Sequence, residues 1–430
     1  MFTSDCLGND NGMLTIGGIR VDDLVKEYST PLYVLDEDTV RNNIRNFKKS
    51  LDENYEKGMV LYASKALNCL ELCRIANDEG IGLDCVSAGE IYTALTAGFP
   101  AERIYFHGNN KTEDELEYAI DNNIGVIIVD NYYELDAIEE IAKQKKKTVK
   151  VMFRIKPGID AHTHDFIRTG QIDSKFGFAL ENGEAYNAVK STLDKENLKL
   201  IGLHCHIGSQ IFDDQPFMEA ARVMMKFYKQ IKDEFSIELD QLNLGGGFAI
   251  KYLETDEHIG YDTYMKEVAT IINDFCKENA LKVPMILIEP GRSVVGAAGI
   301  TLYKCGSIKE IKNIRNYVAI DGGMGDNPRY ALYESDYEVL IANKLNEKAD
   351  YKATVAGKCC ESGDLIQENV VMPKPEKGDI VAVLSTGAYN YSMASNYNRI
   401  PRPAMVMVKD KKSRVIIKRE TFEDLVRNDI

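Results

Sequence analysis

The sequence has no apolar run of about 18 residues, the length a membrane-crossing helix needs, so no membrane partner is expected. It has no surplus of positive charge. Lys and Arg number 52 against 67 Asp and Glu, a formal net charge of −15. An acidic surface repels phosphate backbones, so nucleic acid is not an expected partner, although a local basic pocket for a small anion is compatible with this balance. Paired cysteine spacing is also missing. The nine cysteines, Cys6, Cys69, Cys73, Cys85, Cys205, Cys276, Cys305, Cys359 and Cys360, are scattered with no C-x-x-C pair. A disulfide scaffold or zinc ribbon needs such pairs. The opening MFTSDCLGND has neither the basic start nor the apolar stretch of a secretory signal. A reduced, cytoplasmic protein is expected. Proline and glycine, 11 and 32 of 430 residues, are too few for a collagen-like or linker-dominated chain.

What is present is a globular composition, 44% apolar and 28% charged. At about 100–200 residues per domain the length implies two or three domains. Eight short apolar or β-branched runs read as strands: Val60–Lys65, Gly82–Ser87, Ile104–Gly108, Gly125–Asp130, Lys150–Lys156, Leu200–Gly208, Gln241–Phe248 and Pro284–Arg292. Helical patterns lie between them, among them Glu71–Glu79, Ala88–Ala97, Glu113–Asn122, Tyr133–Lys145, Phe217–Phe235 and Tyr261–Lys277. Eight alternations, with no G-x-G-x-x-G after the first strand, favour a (β/α)8 TIM-type barrel over an open doubly wound sheet. After Arg292 the texture turns to short strands broken by Gly, Pro, Asn and Asp. They are Val318–Ile320, Lys352–Ala356, Ile380–Leu384, Met405–Lys409 and Arg414–Lys418, with a hairpin turn at Asp410–Ser413. Tyr337–Ala342 and Phe422–Asn428 read as short helices, and Pro31–Leu35 as a strand. The expected division is a barrel over 37–288 and a mostly β domain built from 1–36 and 289–430.

A barrel carries its chemistry at the C-terminal ends of its strands. Those ends hold Lys65, Asp84, His107, Arg154, Lys156, His204, His206, Ser209, Gly245-Gly246-Gly247 and Glu289-Pro290-Gly291-Arg292. Glycine turns let backbone N–H groups approach an anion, and barrels often bind phosphate after strands seven and eight. A phosphate site with an inward lysine points to pyridoxal phosphate, with Lys65 for its Schiff base and Glu289 for its ring nitrogen. A snorkelling surface Lys65 and a Glu289–Arg292 salt bridge are the plainer alternatives. His162-x-His164 and His204-x-His206 also raise a metal-dependent barrel hydrolase. Strands seven and eight supply no further histidine, so no metal is assigned. In Cys359-Cys360-Glu361-Ser362-Gly363-Asp364 a thiol beside a carboxylate suits proton donation and amine recognition, though two buried cysteines read equally well.

Taken together, the motifs carry a resemblance. They are YASKA (Tyr62–Ala66), GLDCVSAGE (Gly82–Glu90), HTHDFIRTG with SKFGF (His162–Gly170, Ser174–Phe178), HCHIGSQ (His204–Gln210), GGGFAI and EPGR. DGGMGDNPRYALY (Asp321–Tyr333), GKCCESGD (Gly357–Asp364), TGAY (Thr386–Tyr389) and MASNYNR (Met393–Arg399) follow in order. The chain resembles, over nearly its full length, the diaminopimelate decarboxylase family of alanine-racemase-like, fold-type III pyridoxal-phosphate enzymes. The resemblance implies decarboxylation of meso-2,6-diaminopimelate to L-lysine and carbon dioxide, the last step of lysine biosynthesis. It matches Lys65 to the Schiff-base lysine, His206 to the histidine stacked on the ring and Glu289 to the acid at the ring nitrogen. Ser209, Gly246, Gly247, Gly291 and Arg292 match phosphate-site positions, and Asp84 is counted with the cofactor-binding residues. Arg292, Arg329, Tyr333, Glu361 and Tyr389 match substrate-holding residues, with Tyr389 also near the phosphate. Cys360 matches the general acid. A homodimer is implied, with Cys360 and Glu361 reaching into the partner's barrel. Ornithine decarboxylases of this fold usually have an aspartate after the cysteine, where this chain has Glu361. Two positions depart from the family pattern: Tyr330 stands where proline is usual and Ala249 where glycine is commoner.

Overall fold

The eight apolar runs become eight parallel strands in the computed structural model, which describes residues 2–159, 173–256 and 260–430. We number them β1 (Gly58–Ala63), β2 (Gly82–Cys85), β3 (Ile104–Phe106), β4 (Val126–Val129), β5 (Val149–Lys156), β6 (Leu198–Cys205), β7 (Gln241–Asn243) and β8 (Met285–Ile288). Each pairs with the next, and β8 pairs back onto β1 through Ile286–Ile288 against Gly58–Val60, closing the barrel. The two-residue strand Phe178–Ala179 adds to β5. The strands read as nearly unbroken apolar runs because both faces are covered. Leu61, Tyr105, Val126, Ile128, Met152, Ile201 and Leu287 form one core cluster from six of the strands. At Gly202 in β6 a Cβ would lie 2.2 Å from the carbonyl oxygen of Gln241, so glycine is required where β6 and β7 approach. Side-chain caps start the intervening helices. Thr112 and Glu115 form a reciprocal capping box, and Asn131 accepts from the Glu134 amide at 3.0 Å.

This barrel belongs to a unit comprising Ile44–Ala249 and Glu257–Gly291. The other unit comprises Met1–Asn43, Ile250–Asp256 and Arg292–Ile430. Its centre is the 13-residue strand Gly299–Ile311. The first half of that strand pairs antiparallel with Leu32–Asp36 and with Ile380–Val383, and its second half with Arg315–Ile320. Leu32–Asp36 also pairs in parallel with Ala404–Lys409, so both ends of the chain build one sheet. Two apolar clusters fill this unit. One is built around Leu14, Leu24, Leu302 and Val406, the other around Tyr303, Tyr337, Val355 and Ile366. Asp410 and Lys411 take φ of 50° and 57° in the turn of the last hairpin.

One expected helix is a strand. Val339–Ile341 pairs antiparallel with Ile380–Val383. Tyr337, Val339 and Ile341 are buried in alternation, and that two-residue period overrides the short helical pattern assigned to Tyr337–Ala342. The His162 and His164 pair, the HTHDFIRTG motif and His258 lie outside the described residues. Among the described residues no helix is long and apolar enough to cross a membrane.

Candidate active site

β1 ends in a single 310 turn, Ser64–Ala66, which presents Lys65 as an exposed side chain between buried Ser64 and Ala66. Glu90 fixes this turn. Its Oε2 accepts from Ser64 Oγ at 2.7 Å and from the Val86 amide at 2.8 Å. Ser87 and Glu90 have the spacing of a capping box, and Ser87 does accept from the Glu90 amide at 3.2 Å. The Glu90 carboxylate instead ties the end of β2 to the lysine turn.

Across the same rim, Glu289 follows β8 and is buried. Its Oε1 accepts from Asn243 Nδ2 at 2.6 Å and lies 2.9 Å from His107 Nε2. Its Oε2 lies 3.2 Å from His204 Nε2. Burial pushes its pKa up, but the two imidazoles outweigh burial and hold it well below the usual carboxylate range. Asp84 sits 3.8 Å from His107 Nε2, and burial raises its pKa. Sequence reading gave no role to Asn243. It also accepts from the Gly245 amide at 2.8 Å, so one amide orients both the acid and the glycine turn. No local motif marks it, because the two residues stand 46 positions apart.

His107, His204 and Glu289 are the set of potential metal ligands among the described residues, their ligand atoms within 4.8 Å of one another. The imidazoles stand from the carboxylate at N–H···O distances, not on either side of an ion at about 2.0–2.2 Å. His206 lies just beyond β6, and its Nδ1 accepts from the Gly246 amide at 3.3 Å. The proton of the neutral ring is therefore on Nε2. Burial, and next the charge of Lys65, hold its pKa well below the ordinary value.

The glycine turn after β7 admits no side chain. A Cβ on Gly246 would lie 2.1 Å from the Glu289 carbonyl oxygen, and one on Gly247 2.5 Å from that of Gly208. A bare backbone turn beside Ser209, an exposed lysine and a buried, oriented carboxylate fits pyridoxal phosphate. Three buried atoms on this rim, Asp84 Oδ1, His107 Nε2 and His204 Nδ1, have no hydrogen-bond partner among the described residues. The site thus keeps polar capacity that the barrel does not use.

The β-rich unit holds Arg292, Arg329, Tyr333 and Tyr389. The Tyr389 ring lies 4.8 Å from the guanidinium carbon of Arg292 and 5.5 Å from that of Arg329. Its φ of 63° is rare for an aromatic residue and turns the ring into this position. Arg292 Nη1 also donates to Tyr252 Oη at 2.5 Å, and Arg329 packs over Tyr333 at 5.0 Å. Arg329 is buried and has no carboxylate in ion-pair range among the described residues, and its Nε has no hydrogen-bond partner. Cys360 and Glu361 are exposed in a loop where the Cys360 amide donates to Asn398 Oδ1 at 2.8 Å. No hydrogen bond or ion pair joins their side chains to the arginine–tyrosine cluster among the described residues.

Residues 37–296 match the family model described as the pyridoxal binding domain of pyridoxal-dependent decarboxylases. The diaminopimelate decarboxylase of Bacillus subtilis is 47% identical over 98% of this chain and 96% of its own. That of Bacillus methanolicus is 50% identical over 96% and 95%. The chain belongs to the diaminopimelate decarboxylase family. Membership makes it a pyridoxal-phosphate-dependent carboxy-lyase. The crystal structure of the diaminopimelate decarboxylase of M. jannaschii superposes with a TM-score of 0.93 at 35% identity, covering 100% of this chain and 99% of that one. A second structure of the M. jannaschii enzyme, with L-lysine, gives 0.91 at 36% identity, with the same coverage. The family's barrel with a second, β-rich unit is the architecture found here.

Proposed function

We propose that this chain decarboxylates meso-2,6-diaminopimelate to L-lysine and carbon dioxide. Arg329 carries the reading of the substrate. A buried guanidinium with no carboxylate partner among the described residues is costly unless an anionic ligand completes it. Diaminopimelate has a second carboxylate at its far end, and lysine, ornithine and arginine do not. Membership of the family supports the same substrate.

When bound, pyridoxal phosphate supplies an electron-poor ring that takes up the electron pair left as carbon dioxide departs. The residues of the chain do the rest. Lys65 would hold the cofactor covalently through its ε-amine and yield that position to the substrate amine. Glu289 would keep a proton on the ring nitrogen, and neutral His206 would lie against the ring face. Asp84, Ser209, Gly246, Gly247, Gly291, Arg292 and Tyr389 would complete cofactor binding. Arg329, with Tyr333, Arg292, Tyr389 and Glu361, would grip the amino-acid head that does not react. That grip orients the carboxylate to be lost and uses remote binding energy at the reacting carbon. Cys360 would return a proton to that carbon, with Lys65 the alternative donor. In a homodimer Cys360 and Glu361 would serve the partner's barrel. A protein that sediments as a monomer at assay concentration would remove that assignment.

The test is carbon dioxide release by the purified holoenzyme from meso-diaminopimelate, lysine, ornithine and arginine. Diaminopimelate should lead in kcat/KM by at least about 100-fold, since a site built to pair a polar group rejects analogues lacking it. Lys65→Ala should lose both the cofactor's visible absorbance and the release. Release from another acid and none from diaminopimelate would overturn the substrate.

A further inference from the structure

We propose that His107 and His204 form a clamp that holds the Glu289 carboxylate in place as an anion, making both histidines positioning residues for the ring nitrogen that Glu289 faces. The inference rests on the assignment of Glu289 made under Proposed function. It concerns two residues for which neither the motifs nor the family resemblance supplies a role.

The geometry is specific. His204 Nε2 is hydrogen-bonded to Oε2 at 3.2 Å, and His107 Nε2 lies 2.9 Å from Oε1, so each ring faces one carboxylate oxygen. The rings meet edge to face, centroids 4.8 Å apart at 75°. All three side chains are buried, with 6% or less of any residue exposed. Asn243 adds a third donor, on Oε1. The other titratable groups facing the acid are Asp84, Tyr105, Arg154, Cys205 and His206.

The two histidines divide the work. His204 Nδ1 is buried with no hydrogen-bond partner. A proton there would be an orphan donor in a site that water does not reach, so the ring proton is on Nε2, pointing at Glu289. The His204 ring is then neutral, and burial pulls its pKa down to about 4. His107 Nε2 lies 2.9 Å from Glu289 and 3.8 Å from Asp84. Against burial, His107 and then His204 hold the Glu289 carboxyl well below the usual carboxylate range. An isolated buried carboxylate would take up a proton and could no longer hold one on a ring nitrogen. Neutral His204 fixes the orientation of one carboxylate oxygen, and His107 stands against the other.

Three measurements test this on the full-length protein: kcat and KM of the holoenzyme, the dissociation constant of pyridoxal phosphate by equilibrium dialysis, and 15N NMR of the histidine rings. H107L and H204L should each lower kcat about 10- to 100-fold, the range for partners that orient a primary ligand, with KM for diaminopimelate little changed. H204Q keeps an Nε2-like donor and should recover most of the H204L loss. In an E289Q background the same leucine substitutions should have almost no further effect on kcat or cofactor affinity, because they act through the carboxylate. Additive losses in that background would overturn the clamp. The wild-type protein needs no variant to fold. Its His204 ring should show one protonated and one bare nitrogen from pH 5.5 to 8.5, and a doubly protonated His204 would overturn the assignment. The two possible failures stay distinct. If E289Q alone changes neither kcat nor cofactor affinity, the role of Glu289 is wrong. If E289Q acts and the histidine variants do not, only the clamp is wrong.

Discussion

Two buried carboxylates stand beyond the barrel strands, Glu134 after β4 and Glu289 after β8, and they end differently. Glu134 is saturated from within. Its Oε1 takes the Lys111 amide at 3.0 Å, and its Oε2 takes Lys111 Nζ and the Asp130 amide, both at 2.9 Å. The ammonium of Lys111 spends its other two N–H bonds on the carbonyl oxygens of Gly108 and Ile128, both at 2.7 Å. Nothing in that pair remains for a ligand. Around Glu289, Asp84 Oδ1, His107 Nε2 and His204 Nδ1 have no hydrogen-bond partner among the described residues. Burial alone therefore does not mark a functional charge. What marks it is polar capacity left open in a place the fold has already dried.

The sharpest way to break this contrast is to remove one member of each group. Lys111→Met strands Glu134 without its countercharge and should cost about 3–5 kcal/mol of stability. It should act on activity only through the folded fraction. Glu289→Gln should do the reverse, with a large fall in kcat and a small change in stability. Urea denaturation midpoints beside holoenzyme kinetics decide it. A Lys111→Met protein as stable as the parent would remove the distinction between saturated and open clusters.

The same contrast explains what the sequence made legible. Strands buried on both faces read as plain apolar runs, so β1 to β8 stand out, and the residues at their ends follow from barrel geometry. Lys65, His206 and Glu289 are visible that way. Asn243 is not, because its meeting with Glu289 exists only once β7 and β8 lie side by side. The strand Gly299–Ile311 is also hidden. Past Tyr303, exposed Lys304, Ser307, Lys309 and Glu310 break its apolar run, and its partners come from residues 32–35 and 380–383, remote in sequence. The resemblance supplied roles for Cys360 and Glu361 that no local chemistry in this chain shows, since both are exposed in one chain taken alone.

A third buried acid extends the comparison to the β-rich unit. Asp326 accepts from Tyr303 Oη at 2.5 Å and from the Gly323 amide at 3.1 Å, and has no cation beside it among the described residues. Burial raises its pKa to about 7, against which the Tyr303 hydrogen bond works only in part. The folded chain thus binds a proton here that the unfolded chain, with an aspartate pKa near 3.9, releases. The resulting stabilisation is complete below about pH 4 and is lost as pH rises through about 7. The wild-type urea midpoint should fall from pH 5 to pH 8 by more than that of Asp326→Asn, which carries no titrating group there. Equal falls would show that this acid is ionised when folded.

The smallest effect concerns the residue that departs from the family pattern next to Arg329. Tyr330 lies in the short helix Arg329–Tyr333, and its hydroxyl donates to Glu368 Oε2 at 2.9 Å. Glu368 lies on the strand Leu365–Met372 and also pairs with Arg315 at 2.5 Å. Burial, with this carboxylate next, pushes the tyrosine pKa up to about 12, so the hydroxyl stays a donor at any working pH. A proline here would carry no such bond. The tie is satisfied within the fold, as Glu134 is, and sits one residue from a guanidinium that is not. Tyr330→Phe should therefore cost about 0.5–1.5 kcal/mol, the usual worth of one hydrogen bond. If Arg329 grips the substrate as proposed, its kinetic mark should be a modest rise in KM for diaminopimelate at unchanged kcat, because the loosened helix carries that residue. A fall in kcat with KM unchanged would mean that Arg329 acts at the reacting carbon rather than at the far carboxylate.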